Sequence, residues 1–129
     1  MVYQTPYLFH DTLHNNLTMF EKFNDTDSLN YWINQMNLSV SENNDKGYSG
    51  GEVQKISLVR ALQSQPDCLM LDEATSVLDE QNYQLVEHHL LTSYEGLLIA
   101  VSHCLTDDIK ELYDIILLLK DGKLIEIKK

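Results

Sequence analysis

Two short apolar runs, CLML at 68–71 and LLIAV at 97–101, each end on polar residues and are separated by a helical pattern over about Glu80 to Leu91. A run of this length behind a turn reads as a strand buried on both faces, the habit of a parallel sheet. Strand, helix and strand in that order require a crossover connection, right-handed in nearly all folds. This constraint makes the second half of the chain α/β. A short helix near Thr106 to Leu112 follows, and DIILLLKDGKLIEI reads as two strands around Asp121-Gly122, a pair suited to a tight hairpin.

The first half is helical in pattern. After an extended Val2-Tyr3-Gln4, Pro6 disfavours helix at Thr5, and Asp11 is placed to cap a short helix carrying Leu13, Leu17 and Phe20. Asp27 or Ser28 then caps a helix whose Leu29, Trp32, Ile33 and Met36 stand at i, i+3, i+4 and i+7. SVSENNDKG at 39–47 reads as a loop, and a helix from about Glu52 to Ser64 ends ahead of Pro66-Asp67. No flexible linker intervenes, so residues 1–64 and 65–129 are expected to be two lobes of one unit.

Charge narrows the partners. Nine Lys and Arg against twenty Asp and Glu, a formal charge of −11, exclude a broad nucleic-acid or anionic-membrane surface. The apolar runs fall far short of the ~20 residues of a membrane helix, and MVYQTPYLF carries no secretion signal. Cys68 and Cys104 have neither metal spacing nor disulfide density, which fits a reducing cytoplasm, and Cys68 is expected to pack as a small hydrophobe.

Four stretches carry candidate chemistry. LMLDEATSVLDE delivers Asp72 and Glu73 at the carboxyl end of a strand, where open α/β sheets bind ligands; an Asp there can hold Mg²⁺ and a Glu can deprotonate water. YSGGE places Ser49, Gly50 and Gly51 at a helix start, where backbone N–H groups and the helix dipole favour an anion. LLIAVSHCL sets His103 just past a strand end, within reach of the same crevice. VYQTPYLF puts Gln4 at the end of an extended segment, able to touch Mg²⁺ or a water, with Tyr7, Leu8 and Phe9 as an apolar contact for a partner. Taken singly, each reads more readily as an ordinary cap, turn or incidental side chain.

Their joint order resembles the nucleotide-binding domain of ABC transporters, over essentially the whole chain, with an exporter-like flavour in QTPYLF. The resemblance implies that Gln4 is the Q-loop glutamine, Tyr48 to Glu52 the signature motif, and Leu69 to Asp72 the Walker B strand with Asp72 on Mg²⁺. It implies Glu73 as the catalytic glutamate, Ser76 to Asp79 as the D-loop, and His103 as the switch histidine. The family's phosphate loop, GxxGxGK[ST], lies upstream of the Q-loop, and no Gly-Lys-Ser or Gly-Lys-Thr occurs in these 129 residues. The implied fold is α/β, a partial P-loop NTPase (RecA-like) core with a helical subdomain, lacking the phosphate-loop strand and helix.

ATP and Mg²⁺ are the implied cofactors of the complete domain, with negligible binding expected of this chain alone. The implied partners are a second nucleotide-binding domain, docked head to tail so that Ser49, Gly50, Gly51, Glu52 and Asp79 face its nucleotide, and a transmembrane domain at the Q-loop. That places the chain on the cytoplasmic face of the cell membrane. Glu52 stands where the family usually has Gln; two like charges ~7 Å apart repel by about 2 kcal/mol at an effective dielectric of 20. The competing expectations are a non-catalytic module lending YSGGE to another ATPase domain, and an inactive truncated product. Chromosome-maintenance and repair ATPases share some of these elements, but the short Gln4 to Tyr48 interval leaves no room for their coiled coil.

Overall fold

The computed structural model of the chain describes residues 1–39, 47–103 and 105–128; the centre of the expected 39–47 loop and Cys104 lie outside the described residues. Helix α1 (Leu13–Thr18) is capped by Thr12, whose side chain accepts from the Asn15 N–H. Asp11, the expected cap, stands one residue early and accepts instead from the Thr12 N–H and the Asn15 side chain. The helix stops because Met19, Phe20 and Glu21 all adopt left-handed φ, so Phe20 lies beyond it and is exposed. Helix α2 (Thr26–Gln35) begins at Asp25, not at Asp27 or Ser28; those two donate their N–H groups to the Asp25 carboxylate. The cap is set by which carboxylate reaches the free N–H groups, and the acidic and hydroxyl side chains at 25, 27 and 28 look alike in sequence.

The expected stripe on α2 holds, with Leu29, Trp32 and Met36 buried against the core. Helix α3 (Gly50–Gln63) starts two residues before Glu52, because Ser49 and Glu52 form a reciprocal capping box. It runs through the middle of the helical region, with Ile56, Leu58, Val59 and Leu62 buried.

Strand β1 (Cys68–Asp72) pairs in parallel with β2 (Leu97–Val101), joined by α4 (Glu80–Ser93), with Cys68 opposite Leu97 and Asp72 opposite Val101. Val2 adds a parallel bridge on the other edge of β1, its N–H donating to the Met70 carbonyl and its carbonyl accepting from the Asp72 N–H. Leu69 and Leu71 point into the core with Val86 and Leu90 of α4.

Burial on both faces does not hold. Cys68, Met70, Leu97, Ile99 and Val101 share the opposite face and are exposed among the described residues, so Cys68 does not pack as a core hydrophobe. Alternation of burial along a strand has period two, and an apolar second face shows composition, not what covers it. Helix α5 (Asp107–Leu112) leads to the hairpin β3 (Ile116–Lys120) and β4 (Lys123–Lys128). Its turn is the expected Asp121-Gly122, both at positive φ, the pairing that matches strand twist.

Candidate functional site

Beyond β1 the chain turns at Glu73, whose φ is 49° and whose N–H still reaches the Val101 carbonyl at 3.0 Å. A left-handed non-glycine residue costs about 1–2 kcal/mol, so the surrounding contacts must hold it there. They converge on its carboxylate. Gln4 Nε2 donates to Glu73 Oε2 at 2.6 Å, and His103 Nε2 meets Glu73 Oε1 at 2.6 Å. Three residues far apart in the chain thus share one carboxyl group: Gln4 two positions past the Val2 bridge, Glu73 at the end of β1, His103 just past the end of β2. The Glu73 side chain is 22% exposed and the His103 ring 77%, so the imidazole stands on the rim while the carboxylate sits inside it. An open cleft of about 620 Å³ adjoins them, lined by Thr75, Ser76, Tyr83 and Thr106 among others.

Behind the cleft a buttress ties three elements together. Glu87 of α4 is buried and accepts from the Thr75 hydroxyl at 2.9 Å and the Tyr113 hydroxyl at 3.0 Å. Burial pushes its carboxyl above the usual range, with the two hydrogen bonds opposing; burial and the Glu87 charge push the Tyr113 hydroxyl up.

Asp72 is half-buried and lies on the open face of the sheet, next in sequence to Glu73. Asp72 carries a carboxylate and Gln4 a side-chain carbonyl, the type of oxygen donor a hard cation takes. No group of three or more His, Cys, Asp or Glu among the described residues is placed to hold a metal unaided. That donor set fits Mg²⁺, which keeps several waters and takes further oxygens from phosphates.

Ser49 to Glu52 line a second cleft, of about 600 Å³, that shares Leu78 with the first. Ser49 caps α3; its N–H donates to Glu52 Oε2 at 2.7 Å, and its hydroxyl accepts from the Glu52 N–H at 3.3 Å. Hydrogen bonds from the Ser49 side chain and backbone hold the Glu52 carboxyl below its usual range. Glu52 is therefore folded back onto its own helix end, which bears on the repulsion expected from a glutamate at this position. A Cβ on Gly51 would meet Leu78 Cδ2 at 3.3 Å, so the glycine lets α3 approach the 76–79 segment closely. Asp79 caps α4 through the Asn82 N–H, and Lys55 Nζ donates to Asn82 Oδ1, joining the starts of α3 and α4. The structure thus gathers Gln4, Glu73 and His103 around one carboxylate and Ser49, Gly50, Gly51, Glu52 and Asp79 around a separate cleft.

Sequence reasoning passed over three supporting residues. Buried Gln54 donates to the Gln4 backbone carbonyl. Buried Asn16 accepts from the Phe9 N–H at 2.8 Å and donates to the Phe9 and Thr12 carbonyls, shaping the segment after Gln4. Arg60 Nη2 donates to the Tyr7 carbonyl at 2.8 Å. The available signal was polar residues at core-facing helical positions. Of the expected apolar contact, Tyr7 is exposed while Leu8 and Phe9 are half-buried.

The sequence profile of the ABC transporter family matches residues 1–76. The chain belongs to the ABC transporter family. ATP-dependent permease MDL1 of Candida albicans is 35% identical over 145 residues, covering 97% of this chain and 20% of that protein. P-glycoprotein 14 of Caenorhabditis elegans is 33% identical over 108 residues, covering 74% of this chain and 8% of that protein. A solved structure of a bacterial Atm1-family ABC exporter with ATP bound superposes with a TM-score of 0.80 at 25% identity, over 97% of this chain and 24% of that one. The chain spans a quarter or less of the length of these proteins and is an exporter-like nucleotide-binding domain segment. No helix among the described residues is long and apolar enough to cross a membrane.

Proposed function

We propose that the chain supplies the hydrolytic side of one ATP site and the signature side of another, within an exporter-type ABC transporter. The observation that carries this is the Glu73 carboxylate gripped from both sides by Gln4 and His103 at the carboxyl end of β1. In this reading Glu73 takes the proton of the attacking water, Gln4 orients that water, and His103 contacts the γ-phosphoryl group as charge develops on it. Asp72 and Gln4 hold Mg²⁺, which when bound neutralises charge on the phosphate oxygens. The Gly50 and Gly51 N–H groups, with Ser49, face the nucleotide of a second domain docked head to tail, and Asp79 lines the same cleft. The segment around Tyr7 meets a transmembrane domain, which sets the chain at the cytoplasmic face of a membrane.

A module that only lent Ser49 to Glu52 to a partner has no use for the assembled Gln4, Glu73 and His103 cluster, so the catalytic reading is preferred. The 129 residues carry no phosphate loop, and the triphosphate contacts must come from residues outside them. The chain alone is therefore expected to show no saturable Mg·ATP uptake in equilibrium dialysis. Supplied with a polypeptide bearing the phosphate loop, it is expected to hydrolyse ATP, and Glu73→Gln to cut turnover by about 10²-fold or more, the usual worth of a general base. Tight uptake by the chain alone, or turnover indifferent to Glu73→Gln, contradicts the proposal.

A further inference from the structure

Gln54 is 1% exposed, in the second turn of α3, and its side chain crosses to the N-terminal segment to donate to the Gln4 backbone carbonyl. A carbonyl only accepts, so the amide nitrogen must face it and Oε1 must face the interior. There Oε1 is buried and meets no donor among the described residues. A side chain retained for packing is poorly served by this arrangement, because a buried acceptor without a partner is unfavourable and an apolar side chain of the same length avoids it. What the amide does accomplish is local. The sheet contact of the N-terminal segment is at Val2, and Arg60 next takes a backbone carbonyl at Tyr7. Gln4 lies between, exposed, yet its side-chain amide stays 2.6 Å from Glu73. A long exposed side chain keeps such a contact against water only if its root is fixed, and Gln54 fixes the root.

We infer that Gln54 is a positioning residue, which through the Gln4 backbone sets the Gln4 amide against the Glu73 carboxylate and so ties the signature helix to the hydrolytic centre. This rests on the proposed role of Glu73, but none of the following measurements uses nucleotide, so it stands or falls apart from the ATP experiment.

Gln54→Met keeps length and removes the donor. Expected are an unfolding midpoint equal to or above that of the wild type and loss of the wild-type Gln4 side-chain amide signals in NMR spectra. In Gln54→Glu the acid donates only while protonated, so the Gln4 signals are expected to turn pH-dependent, with the wild-type pattern restored on the acid side. A lowered unfolding midpoint in Gln54→Met, with the Gln4 signals unchanged, assigns Gln54 to packing and overturns the inference. Should neither variant fold, the wild-type chain decides: a scalar coupling across the bond from Gln54 Nε2 to the Gln4 carbonyl carbon supports it, and absence of that coupling overturns it.

Discussion

The helices α1 to α3 and the strands β1 to β4 finish their surfaces in different ways. In the helical region Met36, Ile56, Leu58 and Val59 are fully buried, and even its polar side chains Asn16 and Thr18 are enclosed. In the sheet region one face carries Leu97 at 61% and Val101 at 54% exposure, and the hairpin shows Leu119 at 70% and Leu124 at 68%. A helix closes its backbone hydrogen bonds within itself and needs a partner along one stripe, whereas a strand depends on neighbours at two edges and two faces. The lesson concerns the site: Glu73 stands on the open region, but the contacts from Gln54 to Gln4 and from Arg60 to Tyr7, which hold the segment carrying Gln4, come from the closed one.

The contrast predicts unequal costs. Ile56→Ala in α3 is expected to lose about 2–5 kcal/mol, the usual range for truncating a fully enclosed aliphatic residue. Urea unfolding followed by circular dichroism reads it, and a loss near zero there erases the distinction between the regions.

A smaller effect belongs to Glu87, where α4 meets both. Burial raises its folded pKa above the ordinary 4.5, so the folded chain holds that proton more tightly than the unfolded one. Stability contributed by the protonated group is present below about pH 4.5 and is lost as pH rises through the raised folded value. Glu87→Gln is expected to flatten that limb of the stability profile; a profile parallel to wild type shows that Glu87 is not shielded from solvent as described.

At the low end, Leu119→Lys on the hairpin should change stability by no more than about 0.5 kcal/mol, because its side chain is already in water. A loss comparable to that of Ile56→Ala means the hairpin is covered in solution, which sharpens the comparison in the opposite direction.

Much of this was legible in the sequence. The crossover pair, the α2 stripe, the Asp121-Gly122 turn and the strand-end positions of Glu73 and His103 all follow from local spacing. The helix starts were less so: Asp11, Thr12, Asp25, Asp27 and Ser28 are all competent caps, and geometry at the helix entry selects among them. Nor did composition reveal that Cys68, Met70, Leu97 and Ile99 stand in the open, since apolar character records readiness for burial and not the presence of a cover.

The sequence by itself determined the order of elements, the family, and which side chains are able to do acid, base or anion chemistry, because each of these is written in short-range spacing. Only the tertiary structure decided that Gln4, Glu73 and His103 share one carboxylate, that Glu52 folds back onto Ser49, and that Gln54 spends its buried amide on a carbonyl fifty residues away. Those contacts join segments remote in the chain, and their partners are chosen by packing, which no local pattern encodes.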